Sequence, residues 1–164
     1  MKKHTGFTLI ELMVTVVILG MILSVAIPSF QSINERKTLP EVAKLMEKTI
    51  KLARDEARRR NTLITLSPLN TSWESGWQLT FVDQNTLTTQ LIREFPPVPS
   101  TVAIASVPKD QYTNVNPIVF EINGQVNRLG SLVFTQASVN AVSNCTYTLN
   151  ILISGMVQKR YSGC

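Results

Sequence analysis

GFTLIELMVTVVILGMILSVAIPSF, residues 6–30, is an apolar run that carries one carboxylate, Glu11, near its start. A helix of this length and composition is sufficient to cross a bilayer. A charged side chain at mid-membrane costs roughly 2.5–3.5 kcal/mol on insertion scales, so a chain that keeps one there has a use for it. Glu11 is therefore a candidate functional residue.

The residues before the apolar run predict its orientation. Lys2 and Lys3 precede it, and positive residues stay on the cytoplasmic side of a membrane. We therefore expect a single membrane pass with the N-terminus in the cytoplasm and the rest of the chain outside it. A cleaved secretory signal ending at SVA, residues 24–26, is the alternative. The carboxylate and the length of the apolar run argue against that alternative.

From residue 31 to residue 61 the sequence is amphipathic with the period of an α-helix, which indicates a helix packed on a sheet. Pro28 and Pro40 each lack a backbone donor and are expected to bend or loosen this helix, and Gly20 is expected to weaken it. The predicted apolar face contains Leu39, Val42, Leu45, Met46, Thr49, Ile50, Ala53 and Ala57, and the predicted polar face contains Glu41, Lys44, Glu47, Lys48, Lys51, Arg54, Asp55, Arg58 and Arg59.

From Thr62 onward the apolar period falls to two, which is typical of β-strands. Turn signals separate the strand patterns TLITLS, GWQLTFVD, TQLIREF, TVAIASV, PIVFEIN, SLVFTQA, CTYTLNILI and GMVQKRY. The predicted fold class is α+β: a long N-terminal helix packs on an antiparallel head of about seven or eight strands. The predicted divisions are a hydrophobic helix at 7–30, an amphipathic helix at 31–61 and a β-rich head at 62–164.

The charge distribution limits the classes of partner. The formal net charge is +5. Residues 31–61 contain nine Lys or Arg and five Asp or Glu, whereas residues 62–164 contain five of each, so the basic excess lies on the helix. Such an excess can meet nucleic acid, anionic lipid or an acidic subunit, and charge alone does not choose among them.

The sequence contains no pattern of an enzyme site. His4 is the one histidine, and neither a glycine-rich phosphate loop nor a paired-carboxylate motif is present. We therefore predict a protein that is not an enzyme and that has no cofactor and no metal. Asp83 begins a strand-ending turn that lacks the acidic ligands of a calcium site. Trp73 and Trp77 fit a core better than a stacking platform for single-stranded nucleic acid.

The two cysteines, Cys145 and Cys164, are suited to one disulfide if the head lies in an oxidising compartment such as a periplasm. Two free thiols are the alternative. The prediction of a disulfide rests on the number of cysteines and on the compartment.

The N-terminus resembles the class III signal of type IV pilins and type II secretion pseudopilins. The likeness rests on a short basic leader that ends at Gly6, on Phe7, and on TLIEL, which places Glu11 four residues after Phe7. It implies cleavage after Gly6 by a prepilin peptidase and methylation of the Phe7 amine. It also implies that Glu11 pairs with the amine of an adjacent subunit in a fibre.

The same resemblance makes residues 1–6 a leader peptide and gives the hydrophobic helix two successive functions. Residues 7–30 are implied to anchor the protein in the inner membrane first and to form the core of a fibre later. In the family, a Gly and a Pro at the positions of Gly20 and Pro28 bound a stretch that loses helical structure on assembly.

The rest of the chain resembles minor pilins and pseudopilins of the FimT, FimU and GspH type. The likeness rests on LARDEARRRNTLITLS, on WESGWQLTFVDQN and on the late segments IVFEINGQV and NCTYTLNILISGMVQKRYSGC. It implies the pilin fold and a place at the tip or initiating complex of a type IV pilus. The implied partners are other minor pilins, the major pilin, the prepilin peptidase and the inner-membrane assembly platform. The implied location is the inner membrane, with a periplasmic head, and then the extracellular fibre.

Two alternatives follow from the same resemblance. One is a GspH-like pseudopilin of type II protein secretion. The other is a DNA-binding minor pilin for DNA uptake in natural transformation, in which a Gly-Arg-x-Arg motif of the tail contacts phosphates. Here the tail segment is GMVQKR, with Met156 where the first Arg of that motif stands. The candidate DNA contacts are therefore Lys159, Arg160 and Tyr161, together with the helix cluster Arg54, Arg58, Arg59 and Arg60.

Overall fold

The computed structural model describes residues 8–108, 117–127, 130–136 and 145–163, without side-chain detail for residues 25–36, 107, 108 and 136. Gly6, Phe7 and Cys164, which the sequence singled out, lie outside the described residues. The chain divides into two units, Met1–Arg36 and Lys37–Cys164. The described part of the first unit is helical, and the second contains the end of that helix and the strands.

Helix α1 (Leu9–Arg60) is 52 residues long. Its backbone is helical through Gly20, Pro28 and Pro40, so neither proline ends it, although each removes one hydrogen-bond donor. No helix among the described residues combines the length and the mean hydropathy that a membrane span requires. In the first unit the large apolar side chains that are described are exposed: Leu9, Ile10, Leu12, Met13, Val14, Val16, Val17, Ile18, Leu19, Met21, Ile22 and Leu23.

Eight strands follow α1 among the described residues, which agrees with the predicted α+β class. They are β1 (Ile64–Leu69), β2 (Ser72–Val82), β3 (Thr89–Phe95), β4 (Val102–Pro108), β5 (Ile118–Phe120), β6 (Gly130–Gln136), β7 (Thr146–Ile151) and β8 (Val157–Ser162). β3 has the bounds of the predicted TQLIREF segment. β5 is shorter than the predicted PIVFEIN segment, because the chain turns after Phe120, where Gly124 N donates to Glu121 O at 2.7 Å.

The connection between β1 and β2 is tighter than the sequence suggested. The sequence placed turn signals throughout the interval between TLITLS and GWQLTFVD, but Pro68, which lies in that interval, belongs to β1 and pairs with Trp77 of β2. Only Asn70 and Thr71 make the turn, and both have positive φ, at 47° and 69°. Two residues of positive φ match the right-handed twist of a hairpin, which explains how so short a loop can join the strands.

The strands form two four-stranded sheets in which all pairings are antiparallel. The strand order is β3-β2-β1-β5 in the first sheet and β4-β6-β7-β8 in the second, so that β8 is an edge strand. Glu74 of β2 links the sheets, because its Oε1 accepts a hydrogen bond from Ile104 N of β4 at 3.1 Å.

The helix contributes one buried face to the core of the second unit. Its buried apolar side chains recur every three or four residues, with Val42 and Ala43 adjacent, and this is the spacing of one face of an α-helix. They are Leu39, Val42, Ala43, Met46, Ile50, Ala53 and Ala57. Both sheets add inward side chains to the same core: Ile64, Leu66, Trp73, Trp77, Leu79, Phe95 and Phe120 from the first sheet, and Val102, Ile104, Leu132, Phe134, Tyr147, Leu149 and Ile151 from the second.

Two expectations about the helix faces were wrong. Leu45 was assigned to the apolar face but is 36% exposed, whereas Glu47 was assigned to the polar face but is only 7% exposed. At about 100° per residue these two side chains lie equally far from Met46 on opposite sides. The sequence cannot distinguish such flanking positions, because the position of the sheets decides which flank is covered.

The tryptophans belong to the core, as predicted. Trp73 is 2% exposed and Trp77 is fully buried, and Trp77 Nε1 donates a hydrogen bond to the buried Thr49 Oγ1 at 3.3 Å. Gly76, between them, has φ of 99°, and a Cβ at this position would collide with the carbonyl oxygen of Phe95. β3 therefore approaches β2 closely enough to require a glycine at residue 76.

We predict that Gly76→Ala lowers the free energy of unfolding by about 2 kcal/mol or more, because the new Cβ meets fixed backbone and an unfavourable φ. Denaturant unfolding of the purified full chain, followed by tryptophan fluorescence, measures the change. Gly130→Ala is the control, since a Cβ there meets nothing within 4 Å. That variant should stay within about 0.5 kcal/mol of wild type. Equal unfolding midpoints for the two variants would contradict the packing argument.

Candidate functional site

At the start of α1, Glu11 forms a capping box with Thr8. Thr8 N and Thr8 Oγ1 each donate to Glu11 Oε2 at 3.3 Å, and Glu11 N donates to Thr8 Oγ1 at 3.3 Å. Thr8 precedes the first helical residue, so the spacing is that of a Ser/Thr-x-x-Glu cap. In the single chain, the Glu11 carboxylate thus satisfies one backbone donor, Thr8 N, at a helix N-terminus, where negative charge is also favoured by the helix dipole.

Gly20 and Pro28, predicted to bound a stretch that changes on assembly, are both helical in the single chain. A Cβ placed on Gly20 would meet nothing within 4 Å, so no close packing in the structure requires a glycine there. Its remaining effect is to lower helix stability by about 1 kcal/mol relative to alanine. Glycine at residue 20 therefore makes this part of α1 locally less stable than alanine would.

At the end of α1, the Glu56 carboxylate binds two of the arginines that were predicted to contact DNA. Glu56 Oε2 accepts hydrogen bonds from Arg59 Nη2 at 2.6 Å and from Arg60 Nε at 2.6 Å. The Arg59 and Arg60 hydrogen bonds lower the pKa of Glu56. The Arg60 guanidinium also lies over the Phe81 ring, 4.7 Å from its centroid. Glu56 thus offsets one of the two positive charges of Arg59 and Arg60 within the head.

The other two arginines of the cluster support turns of the head. Arg58 Nε donates to the carbonyl oxygen of Asn123 at 2.9 Å. Arg54 is half-buried, and its Nε lies 3.8 Å from Asp55 Oδ1. A Cβ on Gly124 would collide with the Arg58 side chain and approach Arg54. These side chains thus act as packing surfaces for the glycine turn at residues 121–125.

The predicted tail contact Lys159 is ion-paired with α1. Lys159 Nζ lies 2.9 Å from Glu47 Oε2, and Lys51 Nζ lies 2.8 Å from Glu47 Oε1. The Glu47 side chain is 9% exposed, whereas those of Lys159 and Lys51 are 41% and 59% exposed. Each carboxylate oxygen thus has its own ammonium partner, and the edge strand β8 is held to the helix by charge.

The ion pair between Glu47 and Lys159 shifts the pKa of both groups. Burial opposes ionisation of Glu47, but hydrogen bonds and charge from Lys51 and Lys159 outweigh burial and hold the pKa of Glu47 below its ordinary value. The hydrogen bond to Glu47 correspondingly raises the pKa of Lys159. Glu47 and Lys159 are therefore both charged near neutral pH.

The other two residues of the predicted tail site differ in their surroundings. Tyr161 is 57% exposed, but its hydroxyl is 2.9 Å from the Tyr147 hydroxyl, and the two rings meet edge to face at 4.3 Å. Burial and this hydrogen bond raise the pKa of Tyr147. Arg160 is exposed, and no salt bridge involves it within the part of the chain that the structure describes. The structure thus separates Lys159, which anchors β8, from Arg160, which faces solvent.

Asp83 caps the turn that the sequence predicted. Its Oδ1 accepts a hydrogen bond from Asn85 N at 2.8 Å, and its carbonyl oxygen accepts one from Leu87 N at 2.8 Å. No cluster of three or more metal-ligating side chains occurs in residues 8–108, 117–127, 130–136 and 145–163. Cys145 is not free in the structure, while the predicted pairing with Cys164 falls outside the described residues.

Sequence reasoning missed three residues that organise these contacts. Glu47 was placed with the solvent-facing charges, and neither Tyr147 nor Gly124 was singled out. A tyrosine at an inward position of a strand pattern was a signal for Tyr147, because a buried hydroxyl needs a partner. For Glu47 the only signal was its position at the margin of the apolar face of α1.

Two protein families together match most of the chain. The family described as type II transport protein GspH matches residues 43–155. The family described as the prokaryotic N-terminal methylation motif matches residues 1–27, which include Gly6, Phe7 and Glu11. No curated protein gave a match.

Solved structures share the fold at low sequence identity. The type IV minor pilin FimU from Pseudomonas aeruginosa matches with a TM-score of 0.61 and 18% identity, over 78% of this chain and 92% of that one. The minor pseudopilin EpsH from the type 2 secretion system of Vibrio cholerae matches with a TM-score of 0.56 and 8% identity, over 75% of this chain and 96% of that one. The helix and the two antiparallel sheets are therefore the pilin fold.

We predict that Glu47→Gln lowers the free energy of unfolding at neutral pH by about 1–3 kcal/mol, because both ammonium groups lose the negative charge and one of the two acceptor oxygens becomes an amide donor. A carboxyl group with a lowered folded pKa stabilises the fold above its unfolded pKa, and this contribution is lost as pH falls through the folded value. The difference in the free energy of unfolding between wild type and Glu47→Gln should therefore become smaller below about pH 4.5, which is the ordinary pKa of a glutamate side chain. Denaturant unfolding at several pH values measures it.

The control for this prediction is Glu41→Gln, which removes an exposed carboxylate from the same helix. Its effect should be within about 0.5 kcal/mol at every pH. An equal loss of stability in the two variants, or a loss in Glu47→Gln that does not depend on pH, would contradict the assigned role of the buried carboxylate.

Proposed function

The chain belongs to the GspH family and carries the prokaryotic N-terminal methylation motif, which makes it a minor pilin or pseudopilin, and on this premise we propose that it assembles into a type IV pilus. The observation that carries the proposal is the match of residues 1–27 to the methylation motif, because it joins a processing site and an anchor to a pilin head. Pilins and pseudopilins are structural, non-enzymatic components of such assemblies.

The proposed pathway has three stages. The chain enters the inner membrane once, with residues 1–6 in the cytoplasm and the head in the periplasm. A prepilin peptidase cleaves after Gly6, and the new amine of Phe7 is methylated. The inner-membrane platform then moves the subunit into the pilus, where it joins other minor pilins and the major pilin at the tip or initiating complex.

Glu11 is proposed to pair with the Phe7 amine of an adjacent subunit. Its observed partner in the single chain is Thr8, through contacts of 3.3 Å that are at the long end for hydrogen bonds. A cationic amine at contact distance in an apolar bundle is a stronger partner for a carboxylate than neutral donors are. Replacement of the Thr8 contacts by an ion pair with the adjacent subunit would then stabilise the one subunit alignment in which Glu11 meets the Phe7 amine.

We predict that Glu11→Gln leaves the amount of full-length protein in the membrane unchanged but lowers its incorporation into fibres at least about tenfold, which corresponds to 1.4 kcal/mol. Glutamine can keep the capping box, so the variant removes the charge and retains the cap. Immunoblots of sheared fibres and of membranes measure the two quantities.

Thr8→Ala is the matched variant, since it removes the cap and retains the carboxylate. Its incorporation should stay close to that of wild type. If Thr8→Ala fails and Glu11→Gln assembles, Glu11 acts only as a helix cap, and the proposed intermolecular pair is wrong.

A pseudopilus of type II secretion is the second candidate, favoured by the description of the matching family as a type II transport protein. Both candidates share processing and assembly, so the Glu11 variants do not distinguish them. Deletion of the gene does: loss of surface pili with normal protein export supports the pilus, whereas loss of export with normal pili supports secretion.

DNA uptake is a third candidate, and the exposure of Arg160 is the observation that favours it. Because Lys159 is paired with Glu47, we expect Arg160 to contribute more to phosphate binding than Lys159 does. We predict that purified full-length protein in detergent retards duplex DNA at low salt and that Arg160→Ala weakens this more than Lys159→Ala. Binding unchanged in the double variant Lys159→Ala/Arg160→Ala would exclude the tail as a DNA site.

A further inference from the structure

Two turns of the head meet and form a single surface. The turn at residues 121–125 is closed by Gly124 N, which donates to Glu121 O at 2.7 Å. The turn at residues 152–156 is closed by Gly155 N, which donates to Leu152 O at 2.8 Å. A hydrogen bond of 2.9 Å from Val126 N to Ile153 O joins the first turn to the second. We name this pair of turns the turn platform.

The two turns of the turn platform pack closely against each other and against Arg54. Gly124 and Gly155 have φ of 79° and 70°, and a Cβ on Gly155 would collide with the carbonyl oxygen of Gly124. The Arg54 side chain lies within contact distance of the positions of both Cβ atoms. Substitution of either glycine would therefore push the turns apart, and the surface they form is held in one conformation by backbone contacts.

This packed surface presents apolar side chains to solvent. Isolated exposed apolar residues are ordinary on protein surfaces, but a contiguous group marks an interaction site. Four side chains of the turn platform are largely exposed: Ile122 at 51%, Leu152 at 39%, Ile153 at 60% and Met156 at 53%. A preformed apolar surface loses little conformational entropy when it binds.

We propose that the turn platform is a docking surface for a neighbouring pilin-like subunit of the same fibre, whose contact surface combines apolar side chains with carboxylates. The charge next to the platform favours such a partner. Arg58 is exposed beside the first turn, where its Nε donates to the Asn123 carbonyl oxygen, and no salt bridge involves it among the described residues. A carboxylate on the partner would balance this guanidinium group. The inference rests on the proposed function.

Polar groups within the platform favour a protein partner over a lipid surface. Asn123 Nδ2 donates to Gln125 Oε1 at 3.1 Å, and both residues lie exposed next to Ile122. The remaining donors and acceptors of these amides can be satisfied by a protein surface but not by hydrocarbon. Insertion into a bilayer would therefore be opposed at the centre of the platform.

The test uses the full chain in cells that assemble its fibre. A photo-crosslinking amino acid replaces Ile153, or Leu87 as a control, which is an 81% exposed apolar residue in the β2–β3 turn. We expect residue 153 to form a crosslink to a pilin-like subunit in sheared fibres and residue 87 to form none. In parallel, Ile153→Asp and Met156→Asp should lower incorporation at least about fivefold at an unchanged membrane level, while Leu87→Asp has no effect.

The outcomes distinguish this proposal from the one on which it rests. Wild-type protein that is absent from all fibres would overturn both. Wild-type protein present in fibres, with crosslinks from residue 153 that are absent or confined to lipid and with normal incorporation of Ile153→Asp, would overturn the docking surface alone. A crosslink to a pilin-like subunit, with reduced incorporation of both platform variants and not of Leu87→Asp, supports it.

Discussion

Burial of one face of α1 is the constraint on which the rest of the second unit depends. Three of its buried residues, Ala43, Ala53 and Ala57, are small, which allows the helix backbone to approach the sheets, while Met46 and Ile50 fill the space between. Burial of each large apolar side chain stabilises the fold by about 1.5–3 kcal/mol. Because the cluster includes side chains from both sheets, it fixes each of them against the helix. The contacts that join the helix to the strands and turns, such as the Lys159–Glu47 ion pair and the Arg58–Asn123 hydrogen bond, depend on that arrangement.

Most of the fold follows from periodicity. The change from a helical period to a period of two at Thr62 predicted the helix and all eight strands, because one-sided burial imposes those spacings. What periodicity missed has a common cause. The length of β5, the two-residue turn at Asn70 and Thr71, and the burial of Glu47 each depend on neighbours that are distant in sequence or on local φ values. A pattern within one segment contains neither kind of information.

The candidate functional residues also divide into those that a local pattern identifies and those whose surroundings depend on residues distant in sequence. The processing signal is local and was recognised from residues 6–11, whereas the basic residues were identified by charge without their partners. Lys159 is 112 residues from Glu47, and Arg58 is 65 residues from Asn123, whose carbonyl it binds. Sequence therefore predicted which cations exist but not which are already paired. The structure shows that Arg59, Arg60 and Lys159 are paired with carboxylates, whereas Arg58 and Arg160 are exposed and have no salt bridge within the described residues.

The carboxylates along α1 have partners of different kinds. Glu56 pairs with Arg59 and Arg60, and Glu47 pairs with Lys51 and Lys159, so each of these carboxylates offsets one of two positive charges within the head. Among the described residues, Glu11 has only neutral donors, both from Thr8, and neutral donors leave a carboxylate able to gain a stronger partner. This difference supports the proposal that Glu11, rather than Glu47 or Glu56, pairs with a cation of another chain in the fibre.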